Sequence, residues 1–394
     1  MDFMTTSQAA AEWKVSRRRV SRLCAEGRIK GATQIGNRWL VPIDTLKPDD
    51  QRGKPSNDSV ESPNTEKHPA DWISFINSTL TLPDEIKYNA VDLFAGCGGL
   101  SLGFEAAGIK TIGYEMVSDC CDTYMQNLKT VCHKEMIDES TEYPDAKILI
   151  GGPPCQPFSR FGKQLGQADS RNGFPAFISA VRRYNPEIWV FENVKGLPES
   201  MPDYYESVLS ELRSLGYEVE SHVVKMVRYG VPQTRERMVV VGHHGGFVFP
   251  KENSRKVTAG EALGSLAYEI PKDAMFLTKS QDEYIARYEA ASKCVNPRDL
   301  HLDKPARTLT CRNLAGATSD MHRIRLSDGR RRRITVREAA RLQSFPDWYK
   351  FSGTMESQFT QIGNAVPPLF AYQLANSIID YMDKRRDAQH EVQR

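Results

Sequence analysis

The chain has almost no charge to spare: 52 lysines and arginines stand against 50 acids, a formal net charge of +2 over 394 residues. Bulk charge therefore says nothing about nucleic acid, and only the distribution of charge can. No apolar run approaches the length needed to span a bilayer. The start, Met1-Asp2-Phe3-Met4-Thr5, lacks the basic segment and apolar core of a signal peptide. The eight cysteines include no CxxC and no paired spacing. That argues against zinc ribbons and disulfide scaffolds, leaves no metal site expected, and predicts a soluble cytoplasmic protein kept reduced. What the chain does have is apolar residue enough, 40% of the total, to fill the cores of two or three domains.

Residues 1–46 read as a unit of their own. Thr6 or Ser7 can cap a helix over 8–13, and Ser16 can cap a second helix through Ala25. Val20 and Leu23 share one face of that helix, while Arg17, Arg18, Arg19 and Arg22 lie largely elsewhere. Two short strands, near 29–34 and 38–42, meet at Gly36-Asn37, a pair that tolerates positive φ. The order resembles the winged helix-turn-helix of excisionase and MerR-type domains. That resemblance implies a second helix in the major groove, with the four arginines on phosphates or base edges. The bland alternative is a solvated helix face. Residues 47–85 follow as a linker, at first with almost no large apolar side chain.

The strand at 91–94 runs into the turn Ala95-Gly96-Cys97-Gly98-Gly99, and a strand at 111–115 ends in an acid, Glu115. Glycines let backbone lie against a ligand, and an acid so placed can bond both ribose hydroxyls. Ser101 stands where a dinucleotide fingerprint wants a third glycine, and no P-loop lysine is present. The pattern favours S-adenosylmethionine over NAD, with a purely structural turn as the alternative. A second apolar strand, Lys147-Ile148-Leu149-Ile150, enters Gly151-Gly152-Pro153-Pro154-Cys155-Gln156-Pro157-Phe158-Ser159. Two glycines turn that loop sharply and prolines stiffen it around a thiol. A third strand, Ile188 to Phe191, ends in Glu192-Asn193-Val194, and Gln233-Thr234-Arg235-Glu236-Arg237 precedes a fourth.

These strings, in this order, resemble the DNA (cytosine-5)-methyltransferases over roughly 89–382. The resemblance implies an α/β, Rossmann-like fold that uses S-adenosylmethionine, with catalytic residues at 86–243 and 334–383, a target-recognition domain at 244–333 and a tail at 384–394. It places Phe94 on the adenine, the turn Ala95 to Gly99 and Glu115 around the cofactor, and Met116 as an apolar shelf. Glu135, with Asp138 close by, falls where a third acid reaches the adenine amino group. Gly152 and Pro154 line the pocket from the other side, and Asn364 and Ala365 fold back to the methionine end. Cys155 becomes the nucleophile that adds at carbon 6 of cytosine, Glu192 the acid at the N3 edge, Arg235 the cation on the base and Arg237 its support. Gln156, Ser159, Thr308, Leu309, Arg323 and Arg331 are expected at DNA, the last two within the most basic part of the chain.

The implied substrate is cytosine flipped out of duplex DNA, and the extra DNA-binding module suggests a restriction–modification system with a cognate restriction endonuclease as partner. Two rivals remain open. Arg160-Phe161-Gly162 has the flavour of the branch that methylates transfer RNA, and the chain could be a DNA-binding regulator that keeps the enzyme fold as a platform.

Overall fold

In the computed structural model the described residues are 3–13, 15–16, 20–21, 23–24, 29, 31–35, 38–43, 45, 72–154, 172–272, 274–291, 298–316 and 320–392. The chain divides into two compact units, Met1–Lys67 and His68–Arg394.

In the first unit Thr5 caps the helix Thr6–Glu12 in a reciprocal box with Gln8, a pairing that satisfies two orphan N–H groups at once. The strands β1 (Phe3–Thr5), β2 (Thr33–Ile35) and β3 (Arg38–Pro42) form an antiparallel sheet with β3 in the middle. β1 was not anticipated. Three residues are too few for a periodic signal, and it exists because Phe3 to Thr5 pair with Pro42 to Leu40. Met4, Ala9, Trp13, Val20, Leu23 and Val41 fill the small core. Arg17, Arg18, Arg19 and Arg22, the Gly36-Asn37 turn and the polar stretch 47–68 lie outside the described residues.

The second unit is built on a seven-stranded sheet of β4 (Tyr88–Leu93), β5 (Ile109–Glu115), β6 (Cys132–Lys134), β7 (Ile148–Gly151), β8 (Ile188–Val194), β9 (Glu218–Lys225) and β10 (Glu236–His243). Their spatial order is β6-β5-β4-β7-β8-β10-β9, parallel from β6 to β8, with β10 and β9 antiparallel at the edge. The central strands are apolar on both faces because each face is covered. Ile148, Ile150, Ile188 and Val190 join the core shared with the helices Gly99–Ala106 and Pro368–Val392. Leu149, Trp189 and Phe191 join the core shared with Phe174–Tyr184 and Pro202–Ser214. Such runs belong to sandwiched parallel sheets.

Strand order reverses at β4, with β5 on one side and β7 on the other. The crevice beyond the carboxyl ends at such a switch point is where open α/β sheets bind ligands. The registers Leu93↔Gly151 and Gly151↔Phe191 bring the ends of β4 and β7 level there, while β8 runs on to Val194. Farther along, β11 (Arg323–Arg325) and β12 (Arg331–Arg333) make a hairpin. The helix Val336–Leu342 also starts from a reciprocal cap, Thr335 with Glu338. Among the described residues no helix is long and apolar enough to cross a membrane.

Candidate active site

The turn after β4 is held in shape by backbone and acid together. Phe94 adopts φ of 60°, uncommon for a bulky residue and a mark of a constrained site. Ala95 N–H donates to the Tyr114 carbonyl on β5 at 3.1 Å. Gly96 N–H donates to Glu115 Oε2 at 3.0 Å, and Val117 N–H to Glu115 Oε1 at 2.8 Å. The Glu115 carboxylate is therefore fixed at the strand end. Gly98 has φ of 80°, and a Cβ there would meet Tyr124, Leu128 and Tyr349 within about 3 Å.

Beside it Gly99 lies so close to the segment carrying Ala365 that a Cβ would come 2.5 Å from the Val366 carbonyl and 3.0 Å from Ala365 Cβ. Asn364 is exposed next to it. Cys97 is buried with its carbonyl accepting from Tyr349 OH, and burial pushes its thiol up to about 12. Its backbone faces the turn and its sulfur is inert packing.

Met116 is 59% exposed just past Glu115, an apolar side chain left uncovered at the crevice. Of the two candidate third acids, Asp138 accepts from Ser140 N–H and Oγ and so closes its own turn. The Glu135 backbone N–H donates to the Glu115 carbonyl and its side chain is exposed. The donor set fits an adenosine with a free ribose diol: a fixed carboxylate, close-approach glycines, an aromatic and an apolar shelf. A phosphate would face the Glu115 charge.

On the other side of the crevice Gly152 N–H donates to the Leu93 carbonyl at 3.2 Å. Gly173 N–H donates to the Pro154 carbonyl at 3.0 Å, and a Cβ on Gly173 would strike both Pro154 and the Phe94 ring. Asn193 Nδ2 donates to the Pro153 carbonyl at 2.9 Å. Pro153 is thus tied to β8, and Pro154 to Gly173, which lies against Phe94. Cys155, Gln156 and Ser159 themselves lie outside the described residues.

Glu192 emerges at the end of β8, and Arg237 Nε lies 2.9 Å from its Oε1. Both side chains keep some exposure, 13% and 15%. Lys195 Nζ and Glu236 Oε2 pair at 2.8 Å on the neighbouring surface.

The two arginines of this segment stand in different surroundings. Arg235 is buried, and its Nη1 donates to the carbonyls of Leu309 at 2.8 Å and Gly363 at 3.1 Å. Burial first, then the Arg237 charge, lower its pKa. Arg235 braces distant segments, and Arg237 is the one that meets Glu192. Gln233, not singled out from sequence, sits beside it with no exposure. Its Oε1 accepts from Leu309 N–H, and its Nε2 donates to the Leu342 carbonyl and to Gln343, which in turn donates to the Ala365 carbonyl. In the sequence its only signal is a glutamine before the arginines, and glutamines are common on surfaces.

Thr308 Oγ1 donates to the Thr234 carbonyl at 3.2 Å, while Leu309 is wholly buried. The Thr-Leu pair is thereby fixed to the arginine segment, and Leu309 serves as packing.

The basic stretch also reads differently in three dimensions. Arg323 is buried and paired with Asp299 and Glu289. Arg331 pairs with Asp282 at 3.0 Å and with Asp299 at 3.1 Å. Arg332 and Glu338 form an ion pair with neither side chain exposed. Arg323 and Arg331 are therefore committed to internal carboxylates. A phosphate contact through Arg323 would require breaking a buried network.

Comparison with known proteins bears on the same residues. The profile of the C-5 cytosine-specific DNA methylases matches residues 88–380, and a helix-turn-helix domain profile matches residues 3–47. The chain is 53% identical over 310 residues to the type II methyltransferase M.AplI of Arthrospira platensis, covering 75% of this chain and 89% of that protein. It is 32% identical over 346 residues to the type II methyltransferase M.NgoFVII of Neisseria gonorrhoeae, covering 78% and 89%. A solved methyltransferase from Entamoeba histolytica superposes with a TM-score of 0.59 at 16% identity, covering 76% of this chain and 99% of that one, which speaks to the fold alone.

Proposed function

The chain belongs to the C-5 cytosine-specific DNA methylase family, and from that premise we propose how its residues divide the transfer of a methyl group to carbon 5 of cytosine in DNA. The methyl donor is S-adenosylmethionine, with Phe94, Ala95, Gly96, Cys97, Gly98, Gly99, Glu115, Met116, Glu135, Gly152, Pro154, Asn364 and Ala365 around it. When bound it supplies an electrophilic methyl on a sulfonium. Cys155 adds at carbon 6 of a flipped cytosine, which turns carbon 5 into a nucleophile. Glu192 donates its proton toward N3 as charge builds there. Arg237, fixed beside Glu192, presents its guanidinium fork to O2. Removal of the carbon 5 proton and expulsion of the Cys155 thiolate restore the aromatic ring. The observation that supports this reading most directly is the Glu192–Arg237 pair at the mouth of the crevice, with Asn193 on the same strand end gripping the loop that leads to Cys155.

Residues 244–333 act as the target-recognition domain, with Thr308 nearest the base. The amino-terminal unit, through Arg17, Arg18, Arg19 and Arg22, adds a second hold on duplex DNA. The similarity to type II methyltransferases favours a place in a cytoplasmic restriction–modification system with a cognate endonuclease. The test is methyl incorporation from labelled donor into duplex DNA and into transfer RNA, with bisulfite sequencing of the product. DNA labelling lost in Cys155→Ser, and a covalent adduct with 5-fluorocytosine DNA, are expected. Labelling of transfer RNA alone would overturn the reading.

A further inference from the structure

Beneath the glycine turn runs a chain of three hydroxyls with a carboxyl at each end. Ser101 Oγ lies 2.6 Å from Asp92 Oδ2, and Tyr124 OH lies 3.1 Å from Ser101 Oγ. Thr111 Oγ1 lies 2.6 Å from Tyr124 OH and 2.8 Å from Glu105 Oε1. All five side chains are buried. Each of these four contacts needs one proton, and three hydroxyls supply three.

With both carboxyls ionised, Ser101 must donate to Asp92, Tyr124 to Ser101 and Thr111 to Glu105. Thr111 and Tyr124 would then face each other at 2.6 Å lone pair to lone pair. A proton on one carboxyl lets every hydroxyl donate in the same direction, and the chain closes. Glu105 also accepts from Thr130 Oγ1 at 2.7 Å and from Lys129 N–H at 3.0 Å, the surroundings of a carboxylate. Asp92 has Ser101 as its partner and, among the described residues, no basic side chain beside it. The titratable groups that face it are Tyr124 and Cys132, with Glu115 and Glu105 as the nearby charges.

We propose that Asp92 is a positioning residue held as the neutral acid, donating to Ser101 and so tying β4 to the helix Gly99–Ala106 across the turn that cradles the cofactor. The proposal rests on reading that turn as the cradle. Burial, opposed by the Ser101 bond and reinforced by Glu115, raises the Asp92 carboxyl to about 7. Because the folded value exceeds the unfolded one, the favourable contribution is complete below the unfolded value of about 4. It falls as pH rises through about 7. Above that the chain lacks its fourth proton, and the contact given up is the one between Thr111 and Tyr124, the ring that packs against Gly98 of the turn.

Affinity of the full chain for S-adenosylhomocysteine, measured calorimetrically from about pH 6 to about pH 9, tests this. The wild type is expected to lose about tenfold or more across that range. Asp92→Asn, whose amide donates to Ser101 without a titrating proton, removes the slope, and Glu105→Gln keeps it. Infrared titration of the ligand-free wild type should show a protonated-carboxyl band that fades over the same range, which decides the matter even if a variant fails to fold. A flat wild-type profile, a slope abolished by Glu105→Gln instead, or the absence of that band overturns the proposal. Failure to bind at any pH would sink the cofactor reading, while the infrared result still judges Asp92.

Discussion

Arg235 and Arg237 stand two positions apart with the same charge, and burial alone assigns them different work. Arg235→Ala strands the carbonyls of Leu309 and Gly363 and is expected to cost about 3 kcal/mol of stability, read as a lower melting temperature. Arg237→Ala removes a partly exposed group beside Glu192. It should leave the melting temperature near wild type while lowering kcat about 100-fold or more, as loss of a preorganised donor does. Arg237→Lys should recover only part, since an ammonium lacks the planar fork. The opposite pattern, with Arg235→Ala the catalytic lesion, would return the base contact to Arg235.

That pair also marks how far a reading of the chain alone reaches. Gly-Pro turns, apolar strands and acids at strand ends are local signals, so the strands and the turns after them were legible: Phe94 follows β4, Glu115 ends β5, Gly152 follows β7 and Glu192 sits near the end of β8. Which arginine is buried depends on carbonyls at 309 and 363, contributed by segments far along the chain, and no local periodicity carries that. The same holds for Arg323 and Arg331. Their run looks like a phosphate-binding face until Asp299, Glu289 and Asp282 are folded against it.

At the scale of elements, the hairpin of β11 and β12 is joined to the helix Val336–Leu342 through Arg332 and Glu338, both without exposure. Glu338 also takes the Thr335 N–H that completes the helix cap. Arg332→Ala leaves a carboxylate buried and uncompensated and should cost about 3–5 kcal/mol. Replacing both residues by apolar ones of similar volume should be far milder, and urea melts of the two variants separate the cases. A second joint is tighter still. A Cβ on Gly103 would lie 2.4 Å from Ala371 Cβ and from Tyr372 N. Gly103→Ala must push the helices Gly99–Ala106 and Pro368–Val392 apart, at a cost of about 1–3 kcal/mol or more. Weaker cofactor binding should accompany it, because Gly99 at the start of the first helix packs against Ala365 and Val366, just before the second.

For the whole molecule, the second unit contains the complete sheet, both of its apolar layers and every described crevice residue. A chain beginning at residue 68 is therefore expected to keep its turnover number on short duplexes. It should need more DNA to reach half-saturation if the amino-terminal unit grips duplex DNA, with the difference shrinking as salt rises. Equal half-saturation for both chains at low salt would deny the amino-terminal unit a part in substrate capture.

The helix Pro368–Val392 lies across the back of the first glycine helix, and Tyr88 at the start of β4 bonds to Asp383 at 2.7 Å. A ribosome making this protein has thus translated the crevice beside β4 long before it makes the helix that packs behind it. Partners so remote in sequence must wait for each other. Nascent chains stalled before residue 368 should be unable to methylate, so the first competent molecule comes only once synthesis has passed that helix.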